Sequence, residues 1–276
     1  MTIKIPKTFM GVDGEEALKR ILSGTPVVDA QDTNSQTSGN VIPISDVVKN
    51  NPRNYIQVPQ HNIVIATAET HKGLDIYDTL DKLKDENLRM PRITQFMTHW
   101  NNLREAADNK RQLFYADGSL VDADVISDLW KYVSSGHRGG CWTWLNAYFQ
   151  SSQNIVASSA NRPLEMLTDL KVIRTGNNRD FVGTSTPLDS YLHENAYVDL
   201  SFNAQGLPIP TAKSIEQQYK QGKNIYFWQP VDGRVARFVA DSDWTYLNCN
   251  RDPSIRNSRL GVFACAEGTV ALKGVN

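Results

Sequence analysis

The residues of this chain that could do chemistry are its histidines, its cysteines and one crowd of asparagines, aspartates and arginines near residue 250. The five histidines are His61, His71, His99, His137 and His193, and no two of them stand at the H-x-x-x-H spacing that places two zinc ligands on one helix face. The three cysteines, Cys141, Cys249 and Cys265, contain no C-x-x-C pair. Calcium needs a cluster of oxygen ligands, and NCNRDP offers Asn248, Asn250 and Asp252. Arg251 sits among them, however, and Arg256 and Arg259 follow, so cations would oppose a divalent ion there. Hydrogen bonding within a loop is the expected use of those side chains. RTGNNRD and SSGHRGG lack the glycine order of a phosphate loop and read as turns. There is no G-x-S-x-G elbow. Cys141 has His137 four residues away, but Trp142 and Trp144 beside it suggest a packed strand with a buried thiol. An odd, sparse set of cysteines is not a disulfide framework, so reduced thiols are expected, with a Cys249–Cys265 bridge left open. His99, beside Trp100 on a helix, reads as structural.

The segment RVARFVADSDWTYLNCNRDPSIRNSRLGVFACA, 234–266, has a different texture. Strand alternation puts Phe238, Ala240, Leu247 and Cys249 inward, and Arg237, Val239, Asp241, Tyr246, Asn248 and Asn250 outward. The phase changes near Ser242–Asp243, where a turn or bulge would account for it. RDPSIRNSR then reads as a loop, and LGVFACA as a returning strand. The outward set mixes charge, amide and aromatic side chains with little amphipathic order, and exposed aromatics and arginines on a rigid frame are binding material. The candidate contact residues are that outward set with Trp244, the loop residues Arg251, Ile255, Arg256, Asn257 and Arg259, and Phe263. No metal or cofactor is expected.

Elements that could position such a surface are legible. Leu74, Tyr77, Leu80 and Leu83 recur at helical spacing in LDIYDTLDKLKDENL, as do Ile93, Phe96, Trp100 and Leu103 in ITQFMTHWNNLREAA. Pro91 separates them. DADVISDLWKYV reads as a helix from about 122, and DGEEALKRILS, 13–23, as a short helix capped by Asp13. NIVIAT, GGCWTWLNAYF, NIVASS, AYVDLSF, NIYFWQ and RVARFVA read as strands, and PVDG between the last two signals a hairpin. The expectation is an α+β fold, with the two consecutive helices packed on twisted, mostly antiparallel sheets joined by long loops. Residues 1–60 read as an N-terminal helix and polar linker packed on the main domain, and 61–276 as that domain. A net charge of −1 gives no field to gather nucleic acid or an anionic membrane. MTIKIPKTFM lacks the apolar core of a signal peptide, and IVIATA is too short to cross a bilayer, so a soluble chain is expected.

The 234–266 segment resembles the variable segment of proteins diversified by retroelements, and the chain is most similar to the archaeal branch of that family. GGCWTWLNAYF, with Trp144-Leu145, is similar to the family's earlier aromatic strand. The resemblance implies a C-type lectin fold of the formylglycine-generating-enzyme-like subtype. It implies a ligand-binding surface rewritten by mutagenesis at adenines, with a protein or surface molecule of another cell or virus as ligand and no enzyme activity. Asn codons changed at their adenines never yield Lys, Glu, Gln or Met. The chain holds 14 Lys, 9 Glu, 13 Gln and 5 Met, yet none lies between Gln229 and Glu267, where about five would be expected. Trp244 falls outside the Asn-codon rule. Location is left open by the sequence, a virion or a cell surface reached through another protein included. Two other readings remain: a fixed viral or surface attachment protein, and an oxidase of the formylglycine-generating type using Cys249 and Cys265.

Overall fold

The large sheet is built from strands whose alternate residues are apolar, and its two faces take those residues to different cores. The computed structural model describes residues 8–9, 12–13, 45–152, 163–242 and 244–268. It divides into two units, 1–41 and 42–276. In the first, β1 (Thr8–Phe9) pairs antiparallel with β2 (Val12–Asp13). Asp13 thus ends a strand, and the rest of the helix expected over 13–23 lies outside the described residues, as does the NIVASS strand.

The second unit is mixed α+β. It runs α1 (Asp46–Asn50), β3 (Tyr55–Val58), β4 (Ile63–Ala66), α2 (Ile76–Asp85), α3 (Ile93–Ala107) and α4 (Ala123–Ser135). Then come β5 (Cys141–Ser151), β6 (Leu164–Thr175), β7 (Asn178–Pro187), β8 (Ala196–Asp199), β9 (Asn224–Trp228), β10 (Arg234–Asp241), β11 (Trp244–Arg251) and β12 (Cys265–Glu267). A seven-stranded sheet has the order β7-β6-β5-β10-β11-β9-β8, and a three-stranded sheet the order β12-β4-β3. All neighbours are antiparallel except β11 and β9. Because β3 pairs with β4, the boundary drawn at residue 60 cuts a hairpin, and residues 45–60 belong to the larger unit.

The hairpin expected around PVDG does not form. β10 leaves that turn to lie between β5 and β11, and β11 separates it from β9. The local turn signal loses to long-range pairing, since β10 is buried along its whole middle and needs a partner on each edge.

Helix α3 matches its expected span. Its Phe96 packs on Phe238 (4.9 Å between ring centroids) and Phe263 (5.8 Å), and its Trp100 donates Nε1–H to the Val133 carbonyl of α4 at 2.9 Å. Helices α3 and α4 and the small sheet cover one face of the large sheet, burying Cys141, Leu145, Phe149, Ala236, Phe238, Ala240, Leu247 and Cys249. Helix α4 ends at Gly136, at φ 67°. A Cβ there would lie 2.5 Å from the Asp241 backbone carbon, so only glycine lets this helix end against the β10–β11 turn. Among the described residues the opposite face is covered only in part. Helix α2 and the chain from Ile255 to Ala266 lie over the β5–β6–β7 side, burying Trp144, Leu167, Leu170, Val235, Leu260 and Val262.

Candidate ligand-binding face

Past β10 the second face lies outside both apolar cores, and the strand registers lay a row of side chains across five strands. Trp142 on β5 stands opposite Val239, Val239 opposite Tyr246, Tyr246 opposite Tyr226, and Tyr226 opposite Tyr197. Cross-strand neighbours on one face touch. The rings of Tyr197 and Tyr226 meet edge-on at 5.0 Å, Tyr226 and Trp228 lie 5.3 Å apart, and Trp244 meets Tyr246 at 5.7 Å. Tyr197, Tyr226, Trp228 and Tyr246 are half-buried and belong to neither core cluster, while Trp244 is 46% exposed.

Arg237 lies within this aromatic field. Its guanidinium carbon is 5.2 Å from the Trp142 ring centroid and 5.8 Å from that of Tyr246, within cation–π range. Nη2 donates to the Tyr246 hydroxyl at 3.3 Å, while Nε and Nη1 have no acceptor. The residue is 5% exposed. Burial pulls its pKa down to about 10; the Tyr246 phenol works against that shift, and the Arg251 charge adds to it. Arg251 reaches this face through a bulge. Arg237 stands opposite Asn248 but Val235 opposite Arg251, so β11 carries one extra residue there. Asn250 lies in the bulge, its N–H bound by the Asn248 side chain at 2.9 Å. Nε of Arg251 and Nε1 of Trp142 are also buried without a partner.

The thirteen candidate residues thus fall into three groups. Arg237, Asp241, Trp244, Tyr246, Asn248, Asn250 and Arg251 are on or beside this face, with Arg237 and Asn248 nearly buried in it. Val239 and Phe263 are corrections. Both are 0% exposed, Val239 wedged between its neighbours in the Trp142–Tyr246 row and Phe263 packed on Phe96 and Tyr132. Alternation gave Val239 the right face, but that face is close-packed at its centre. The remaining four lie in the loop beyond β11. Ile255 packs on the α2 side core. Arg256 pairs with Asp75 at 3.1 Å and with Asp78. The Asn257 side chain accepts the Arg259 N–H at 2.9 Å, and Arg259 reaches Asp241 at 3.9 Å and the Trp142 ring at 6.0 Å. These four mainly fasten the loop. Sequence reading missed Tyr197, Tyr226 and Trp228 as surface residues. Their alternation was visible, but only the β11–β9 pairing brings them beside the segment. Trp142, read as core, is half-buried and packs on the α2-side core.

Elsewhere, a cleft of about 240 Å³ is lined by His61, Arg89, Arg92, Asp169, Cys265 and Glu267, with Arg92 paired to Asp169 at 2.7 Å and Arg89 to Glu267. A second, of about 220 Å³, borders Glu69, Lys72, Asp128, Tyr132 and Arg138. Glu69 accepts bonds from the Trp142 N–H at 2.7 Å and the Tyr132 hydroxyl at 2.5 Å, and burial raises its pKa to about 7. All three cysteines are free and buried. Cys249 lies in β11 of the large sheet and Cys265 in β12 of the small one, and burial pushes the first thiol well above its usual value and the second to about 12. Among the described residues no three His, Cys, Asp or Glu side chains converge as a metal set, and no helix is long and apolar enough to cross a membrane. Compared with known proteins, the chain matches no family model, no curated protein and no solved structure.

Proposed function

We propose that this chain is a non-enzymatic binding protein that holds its ligand on the open face of the large sheet, and that segment 234–266 is diversified by adenine-specific retroelement mutagenesis. The scaffold is read as a C-type lectin fold of the formylglycine-generating-enzyme-like subtype. The ligand is read as a protein or surface molecule of another cell or virus. One observation carries the reading. The two strands contributed by the segment, β10 and β11, are adjacent at the middle of the sheet, with one side sunk in the core and the other among Trp142, Tyr226 and Trp228. Ladder hydrogen bonds on both edges of each strand are made by backbone, so side chains on the open side can change without undoing the sheet. Substitution at its exposed positions costs little, within about 0.5 kcal/mol away from special contacts. Aromatic and arginine side chains there are the types that supply binding energy.

The test lies in the DNA. The locus is expected to carry an imperfect repeat of the coding sequence for 234–266, differing from it almost only at adenines, beside a reverse transcriptase gene. A locus without that repeat overturns diversification. Related copies that differ evenly along their length would then favour a fixed attachment protein. Copper binding by the chain that is lost on changing Cys249 and Cys265 to Ser would favour the oxidase.

A further inference from the structure

We propose that the ligand of the open face is a protein that presents an Asp or Glu side chain to Arg237, with Arg251 beside it. This rests on the binding reading above and names the chemistry of the ligand.

Three of the segment's five arginines are neutralised. In the same segment, Arg234 pairs with Asp252 at 2.7 Å, Arg256 with Asp75 and Asp78, and Arg259 with Asp241 at 3.9 Å. Arg237 and Arg251, the two aimed at the open face, have no carboxylate within ion-pair distance among the described residues. Arg237 is also the more buried case, at 5% exposure, with two of its three nitrogens lacking any acceptor. A buried cation without a counter-charge is costly, and it is retained where something else supplies the charge. Tyr246 gives it one neutral oxygen, and Trp142 gives a ring face. A ligand carboxylate at Arg237 would supply the counter-charge that neither arginine has among the described residues.

The surroundings favour a protein over a polyanion. Two unpaired cations on a face that also carries Asp241 cannot track a phosphate backbone, and the chain has a net charge of −1. Trp142 and Tyr246 on the arginine, with Tyr226, Trp228 and Trp244 beyond Tyr246, match the centre of a protein interface, where aromatic rings exclude water from a charged pair. In such a setting removing one partner of a hydrogen-bonded charge pair weakens binding by tenfold or more.

The experiment selects binders to the intact chain from a displayed library of random twelve-residue peptides, then measures each enriched peptide against five variants. The expected result is enrichment of Asp or Glu. Binding should fall at least tenfold with Arg237→Gln and with Tyr226→Ala, less with Arg251→Gln, and stay unchanged with Lys131→Gln on the far side. Arg237→Met should melt no lower than wild type while losing the same peptides, an outcome that a purely structural arginine would not give. Binders that lack acidic residues and ignore Arg237→Gln, yet are lost with Tyr226→Ala, overturn this proposal and leave the binding face standing. Binders indifferent to both variants, or no binders at all, overturn both.

Discussion

Two buried ionisable groups set opposite pH dependences, and each can be isolated by one substitution. Glu69 has a folded pKa raised to about 7 by burial. Its stabilising contribution is therefore complete below its usual value of 4.5 and is lost as pH rises through about 7. The loss amounts to about 3 kcal/mol at 1.36 kcal/mol per pKa unit. Denaturant titrations of wild type and Glu69→Gln at pH 5 and pH 8 should show the wild type losing more stability on going to pH 8, by roughly that amount. His99 behaves in the reverse sense. It is 1% exposed, neither ring nitrogen has a partner, and burial lowers its pKa to about 4. Its contribution is present above its usual 6.5 and lost as pH falls through 4. His99→Leu removes an unsatisfied buried group of similar size, so it should leave stability at pH 7 equal or higher and blunt unfolding between pH 6.5 and 4. A melting temperature that drops at pH 7 would contradict this.

At the scale of elements, the segment that carries the candidate face is clamped at both ends. Asp75 is the clamp on the loop. Its side chain is 1% exposed, caps α2 through the Asp78 N–H at 2.9 Å, and pairs with Arg179 at 3.0 Å and Arg256 at 3.1 Å. Asp75→Ala removes the cap and leaves Arg179 and Arg256 with Asp78 alone, at a cost of about 2–4 kcal/mol, and Asp75→Asn, which keeps the cap, should cost less. Urea midpoints of the two variants check the order. Gly136 is the clamp on the β10–β11 turn. Gly136→Ala puts a Cβ 2.5 Å from backbone at a left-handed φ, so it should destabilise by about 2 kcal/mol or more and be seen as a lower melting temperature. Asp241 holds the Ser242 N–H at 2.8 Å and pairs with Trp244, and that register sets even residues of β10 opposite odd residues of β11, which is the change of phase.

For the whole molecule, the large sheet separates frame from surface. Phe238→Ala, cutting a side chain at 0% exposure against Phe96 and Trp100, should cost about 3–5 kcal/mol, whereas Tyr226→Ala and Trp244→Ala should cost far less while abolishing ligand binding. Chemical denaturation of the three variants tests that division. Much of the frame was legible in the sequence, because helical periodicity and strand alternation are local properties: helix α3 runs over its expected residues, and Phe238, Ala240, Leu247 and Cys249 all point into the core. The α+β class followed from those elements in order. Pairing over long range was not legible. The turn at PVDG signalled a hairpin that β11 pre-empts, and a parallel neighbour for β11 leaves no mark in either strand's pattern. The sequence by itself determined which residues alternate and which segment is unusual. Only the tertiary structure decided that Tyr197, Tyr226 and Trp228 join that segment's face, that Val239 is buried within it, that Phe263 packs in the core instead, and that Arg237 stands there without a counter-charge. Alternation assigns a side chain to one of two faces, but what covers a face, and which charges meet on it, depends on strands far apart in the chain.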